Sequence, residues 1–370
     1  MNAPQNGKIS MRQLMICYAF LVIASSVMGI RYLTSVSQSK LSFAVPFFCA
    51  VPIVALIFIF KRLLKGGVSL TQAIRDIGGK WLVRSYLALQ IAACLICIAV
   101  YINYFADRFI SSALPSAPNT LFISASLALA FLTLRGRFEY FGRFCEIAFC
   151  AFIAVFCVLC ASATFRIDIE NLLPVTWQDL PDALVSSPPL VQYLAVFSPV
   201  VYMADKVNLP PDAGKTFARV SLKFLTVSVL IVSVTVVITT GILGVSATDV
   251  FNYPLFAAMK AVDIFGAVEG AELVFFLIWI VVDFVYISFF AYVIIQSIQE
   301  LFGLYDSKYL AAPSLFAIYA FSLCITKSRT ELDFFSANIA PWIYLPFAFG
   351  IPIALLAVRA VKSLFRKRLR

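Results

Sequence analysis

Long uncharged apolar runs recur along the chain, and short polar connectors between them hold nearly all of its charge. Ten runs are long enough to cross a bilayer: residues 13–30, 41–60, 85–106, 109–134, 147–165, 183–204, 224–248, 273–299, 309–326 and 334–358. A helix needs roughly 17–25 apolar residues to cross the hydrocarbon core. Ten such runs do not fit one soluble core of 370 residues. The pattern predicts an all-α polytopic membrane protein with ten transmembrane helices. It forms one transmembrane domain, residues 1–370, with a first half at about 11–165, a second at about 183–358 and a basic tail at 359–370. The composition agrees: 62% of residues are hydrophobic, 13% are charged and the mean hydropathy is +0.95.

Charge placement sets the orientation. An N-terminus on the inside places 22 of the 29 Lys and Arg residues in the tails and alternate connectors. Only Arg31, Lys40, Arg108, Arg166, Lys260, Lys327 and Arg329 fall outside. The positive-inside rule expects this bias, so both termini are predicted cytoplasmic. The net charge of +10 then needs no nucleic-acid partner. The basic tail is expected to lie against anionic membrane lipids, each charge contributing about 1 kcal/mol. Lys8 and Arg12 imitate a signal-peptide flank, but no small-x-small cleavage site follows, so the run reads as the first helix. Between the seventh and eighth runs, Val250–Met259 is too short to span and is expected to lie along the outer surface or dip into it.

The chain has nine cysteines and no histidine. Cys94–Cys97 and Cys157–Cys160 have CxxC spacing, but both pairs lie in apolar runs without a base to form thiolates. They read as small packing residues. No phosphate loop, nucleophile elbow or paired-carboxylate site is present, and nothing suggests an enzyme, a metal or a cofactor.

Irregular backbone at membrane depth survives only where protein or a water-filled cavity satisfies it, so interrupted spans point to ligand sites. If the ten spans form two inverted repeats of five, the first and sixth are equivalents. The first contains Ser25-Ser26-Val27-Met28-Gly29, and the sixth contains Phe197-Ser198-Pro199. Discontinuous first and sixth helices are therefore expected, although small residues also serve packing and a proline also serves as a plain kink. The eighth run alone is interrupted by a charge, Asp283. A carboxylate at a span centre faces a polar interior, binds a proton or locks two helices together. Tyr286, Ser288 and Tyr292 extend the polar face of that span. Tyr101, Asn103 and Tyr104 do the same for the third.

These residues suggest a family. Lys8-Ile9-Ser10 with Gln13-Leu14, then Asn171-Leu172-Leu173-Pro174-Val175, Tyr253-Pro254 and Val268-Glu269-Gly270-Ala271-Glu272 with Trp279 resemble landmarks of the spore germination permeases. These are the B subunits of bacterial nutrient germinant receptors. In place of the Arg that commonly stands near the Val-Glu pair, this chain has Gly270 and Ala271 near Glu272. The family is similar to the amino acid–polyamine–organocation transporters, whose inverted repeats hold a ligand beside unwound first and sixth helices. The resemblance implies ligand-lining roles for Ser25, Ser26, Gly29, Tyr101, Ser198, Pro199, Asp283, Ser288 and Tyr292. It implies a germinant-sensing subunit of the inner spore membrane that binds a small molecule, an amino acid by preference. Its partners would be an A-type membrane subunit and a C-type lipoprotein. The alternative is a proton- or sodium-coupled amino acid or polyamine permease.

Overall fold

The computed structural model of the chain describes residues 8–37, 40–64, 69–112, 116–173, 179–185, 187–207, 213–248, 250–262, 271–304, 306, 308–325 and 328–368. Most of the Pro174-Val175 and Val268–Gly270 landmarks and the last two residues of the basic tail lie outside them.

Ser10 and Gln13 set the start of the first helix. The Ser10 hydroxyl accepts from the Gln13 N–H at 3.2 Å, and the Gln13 side chain accepts from the Ser10 N–H at 2.9 Å. This reciprocal cap satisfies donors that a helix start leaves free. From it runs α1 (Met11–Ser37), the central rod of the molecule, with every residue from Leu14 to Ser26 buried. A helix apolar on all sides belongs inside a bundle. Around α1 pack α5 (Phe138–Ala163), α9 (Ala213–Leu243) and α12 (Ala271–Phe302), and α2 (Val45–Leu63) lies against α9. Against α12 lies α3 (Leu70–Ser112), and α4 (Asn119–Leu134) and α13 (Ala311–Ile325) pack on these two.

The sixth run is split into α6 (Leu180–Val185), α7 (Pro188–Leu194) and α8 (Phe197–Tyr202). Two short helices follow α9: α10 (Val245–Thr248) and α11 (Pro254–Lys260). The last run is α14 (Arg329–Phe334), α15 (Ala340–Leu345) and α16 (Ile351–Arg368), joined by two stretches of wider π-helical turn at Phe335–Ile339 and Pro346–Gly350. Pro341 and Pro352 follow these stretches after one intervening residue, Ala340 and Ile351. Each lacks an N–H and crowds the carbonyl four residues earlier, so the turn ahead of it widens.

Six of these helical segments are long and apolar enough to cross a membrane: Leu41–Leu63, Leu70–Ser111, Phe138–Arg166, Gly214–Leu243, Glu272–Phe302 and Arg329–Lys362. Shorter apolar helices fill the first, fourth and ninth runs. The perimeter carries large exposed apolar side chains, among them Leu132, Ile147, Phe316 and Trp342. A continuous apolar exterior of this kind suits lipid.

The first helix departs from expectation. It is helical through Ser25–Gly29, not broken there. The Ser25 hydroxyl donates to the Leu21 carbonyl at 2.6 Å and the Ser26 hydroxyl to Ile23 at 2.9 Å, so each returns to its own helix and nothing there requires unwinding. The third helix is longer than its apolar run. It reaches back to Leu70 and bends at Gly79, whose φ of 73° is open to glycine. The 250–259 segment dips inward: Leu255, Phe256 and Met259 are buried, with the Phe256 ring 4.8 Å from Phe275.

Both ends of the chain meet the same end of the bundle. The Ile9 N–H donates to Lys206 O at 3.0 Å, and the Arg359 guanidinium to Leu63 O at 3.0 Å.

Candidate functional site

Pro199 decides where the sixth run breaks. It has no N–H to give to the carbonyl of Ala195, four residues earlier. The Ser198 N–H turns to Ala195 O instead, at 3.2 Å, and so leaves Leu194 O. Neighbouring tyrosines take up both carbonyls. Tyr18 of α1 donates to Leu194 O at 3.1 Å, and Tyr344 of α15 to Ala195 O at 3.4 Å. The break thus lies at Ala195–Val196, between α7 and α8, with Pro199 tolerated in the first turn of the new helix.

Beside this break is a cavity of about 20 Å³, walled by Ser25 and Met28 of α1, Cys97 and Tyr101 of α3, Gln192, Tyr193 and Val196 at the break, Tyr286 of α12, and Ser336 and Ala340 near the last wide turns. That is room on the order of one water molecule. The Tyr101 and Tyr286 rings stack at 3.7 Å, closing one side. Tyr193 and Ser336 share a 3.2 Å hydrogen bond. The side-chain oxygen of Gln192 is buried there with no partner. A buried amide oxygen left in this way is an acceptor awaiting a donor.

Of the polar residues singled out from sequence, the structure brings Ser25, Tyr101 and Tyr286 to this cavity. Ser26 is buried on α1 with its hydroxyl bonded to Ile23 O, and Gly29 continues the same helix. Ser198 donates to Ala348 O at 3.0 Å and lines a separate small void with Phe60 and Tyr86, and Pro199 is buried beside it. Ser288 is buried with its hydroxyl unpartnered, and Tyr292 points to Thr133 O at 2.6 Å, between Phe138 and Phe141. Trp279 packs between helices, against Phe152, Phe256 and Phe275. All nine cysteines are free, and Cys97 serves as cavity wall.

Asp283 is set one layer away from the cavity. Its carboxylate accepts from Tyr101 on one oxygen and from Arg108 on the other at 2.5 Å, with both ionic side chains buried. The lock between helices is the reading that this geometry fits. Arg108, assigned to an outer connector by its place at the end of a run, turns into the protein. Its guanidinium lies 5.2 Å from the centre of the Phe256 ring.

Beyond this pair, one end of the bundle is closed by a polar cluster. Arg329 holds Asp107 at 2.5 Å and both oxygens of Asp333 at 3.0 Å, and it stacks on the rings of Tyr104 and Tyr253. Tyr253 donates to Asp107 at 2.7 Å, and Tyr104 to Asp333 at 2.9 Å. The cluster joins α3, the Tyr253–α11 segment and α14. At the opposite end Tyr202 donates to Glu300 at 3.2 Å, and Thr71 to Asp205 at 3.3 Å. Burial, with the charge of Glu300 adding to it, pushes the Asp205 carboxyl up to about 6.

A helical bundle with an apolar exterior, a break inside an apolar run and a small cavity beside it is an architecture that membrane transporter folds share. Solved structures agree. A Na+-coupled sialic acid symporter in a substrate-bound outward-open state is similar over 93% of this chain and 79% of its own, with a TM-score of 0.63 and 11% identity. A manganese transporter mutant from Eremococcus coleocola is similar over 96% and 81%, with a TM-score of 0.55 and 12% identity. These likenesses speak for the fold. No curated protein sequence matches the chain. The family model described as "Spore germination protein" matches residues 8–331. The chain belongs to the spore germination permease family, and it is an integral membrane protein related in fold to transporters rather than to enzymes.

Proposed function

We propose that this protein is the nutrient-sensing membrane subunit of a spore germinant receptor and that it binds a small amino acid in the cavity beside the α7/α8 break. The observation that carries the reading is the unpartnered Gln192 oxygen in a wall built from a broken span. It would accept from the ammonium of a ligand. The Tyr193 hydroxyl, which shares a hydrogen bond with Ser336, would turn to the carboxylate. The protein then has ten spans in two inverted repeats, with both termini cytoplasmic, and works with an A-type membrane subunit and a C-type lipoprotein. At about 20 Å³ the cavity is too small for an amino acid, so binding requires the helices to part. A ligand shifts such an equilibrium only by its difference in affinity for the two states.

Tyr101 makes the link outward. It lines the cavity, bonds Asp283 and so touches the pair that Arg108 completes, and Arg108 is next in α3 to Asp107 of the Arg329 cluster. A ligand that displaces the Tyr101 ring loosens this chain of contacts.

A second reading, an ion-coupled amino acid or polyamine permease, is favoured by the transporter folds to which the chain is similar. Proteoliposomes containing this chain alone discriminate the two. The sensing account expects ligand binding without net uptake of labelled amino acid. Uptake driven by a proton or sodium gradient would establish the permease instead.

A further inference from the structure

A second cavity, of about 210 Å³, lies at the end of the bundle near Ile9 and Arg359, between α3 and the last turn of α12. Arg75, Lys80 and Arg84 line it together with Glu300 and Phe302. The bend at Gly79 puts Arg75, before it, and Arg84, after it, on the wall of one pocket. Among the described residues none of these three cations forms an ion pair. The single acid of the wall, Glu300, already accepts from Tyr202.

Three unpaired cations against one carboxylate leave the hollow with net positive charge, which favours an anion. Its surroundings identify the kind of anion. Trp81 is 79% exposed and Phe302 70% exposed, and the Arg84 guanidinium stands 5.8 Å from the Trp81 ring centre. Exposed Leu82 and Leu89 continue the apolar surface from the pocket along α3. A soluble anion has no use for that strip. Aromatic and cationic side chains side by side at the end of an apolar span mark the headgroup level of a bilayer. Basic pockets between spans at this level hold anionic headgroups.

We infer that the Arg75–Lys80–Arg84 pocket binds the phosphate of an anionic phospholipid, with its acyl chains lying along Trp81, Leu82 and Leu89. The inference is independent of the mid-depth ligand.

Purified protein in nanodiscs of phosphatidylcholine alone, or of phosphatidylcholine with phosphatidylglycerol, provides the test. Retained lipids are counted by native mass spectrometry, and the thermal midpoint is recorded. The expected result is that phosphatidylglycerol is selectively retained and raises the midpoint. The variant R75Q/K80Q/R84Q loses this selectivity, by roughly five-fold per cation removed. Should the triple variant fail to fold, K80Q and R84Q singly give the same readouts. Undiminished selectivity in the pocket variants overturns the proposal. So does a midpoint in phosphatidylcholine discs that inorganic phosphate raises as far as phosphatidylglycerol does, since that marks a site for a soluble anion.

Discussion

Arg108 and Asp283 stand 175 residues apart in the chain and meet at 2.5 Å, both side chains buried. Each is tolerable only because of the other. Removing one partner of a buried pair costs about 3–5 kcal/mol, whereas replacing both by well-packed apolar groups is often neutral or better. Asp283→Leu and Arg108→Met are each predicted to lower the thermal midpoint strongly. The double variant should recover most of the loss. Additive losses in that double-mutant cycle would show that the two side chains do not act as a pair.

Tyr18→Phe should leave the Leu194 carbonyl buried without a donor, because Ser198 has turned to Ala195. A lost partner of this kind costs about 1–3 kcal/mol. Tyr18 packs edge-on against Phe197, a contact that the substitution preserves. Unfolding in detergent measures the cost, and a variant as stable as the parent would mean that the break is satisfied in another way.

The Arg329 cluster is expected to act as the outer closure. In a background with Cys97 as the sole cysteine, a membrane-impermeant thiol reagent should react slowly with the parent. Arg329→Ala should react at least about ten-fold faster, as expected where an ion-paired cluster worth one to two kcal/mol holds the closed state. Equal rates would remove the gating role from these residues.

Asp205 makes the end of the bundle near Ile9 and Arg359 sensitive to pH. Its carboxyl is raised to about 6 by burial and by Glu300, with Lys206, Ser69 and Thr71 pulling the other way. Between the ordinary carboxylate range and pH 6 the folded state therefore holds a proton that the unfolded state has lost, so stability falls as pH rises through that window. Lowering the pH from 7.5 to 5.5 should raise the thermal midpoint of the parent. Asp205→Asn should flatten the dependence, and an unchanged slope would assign it to another group.

The apolar runs made the membrane helices legible in part: six are long and apolar enough to cross, while the first, fourth and ninth runs form shorter apolar helices. The break in the sixth span was legible in kind but not in place. Proline acts on the carbonyl four residues before it, so Pro199 opens the chain at Ala195. Ser25 and Ser26 misled because a serine able to bond its own helix looks the same in sequence as one at a real break. Gln192 carries a signal that went unused: it is an amide in the middle of an apolar run. Arg108 carried none. Its place at the end of a run fits an outer connector, and only the fold turns it toward Asp283. The Ser10–Gln13 and Asn171 landmarks have structural work to do. The first pair caps α1, and Asn171 donates to Gly241 O at 3.1 Å at the end of α9.

The central claim is that the cavity between α1, α3, α7/α8 and α12 receives an amino acid. Protection of Cys97 tests it most directly, with the purified protein titrated against a panel of single amino acids while alkylation is followed. The account predicts that at least one of them slows Cys97 modification saturably, and that Gln192→Leu abolishes the protection without lowering the thermal midpoint. Alkylation indifferent to every amino acid in the panel, or protection that survives in Gln192→Leu, would contradict it.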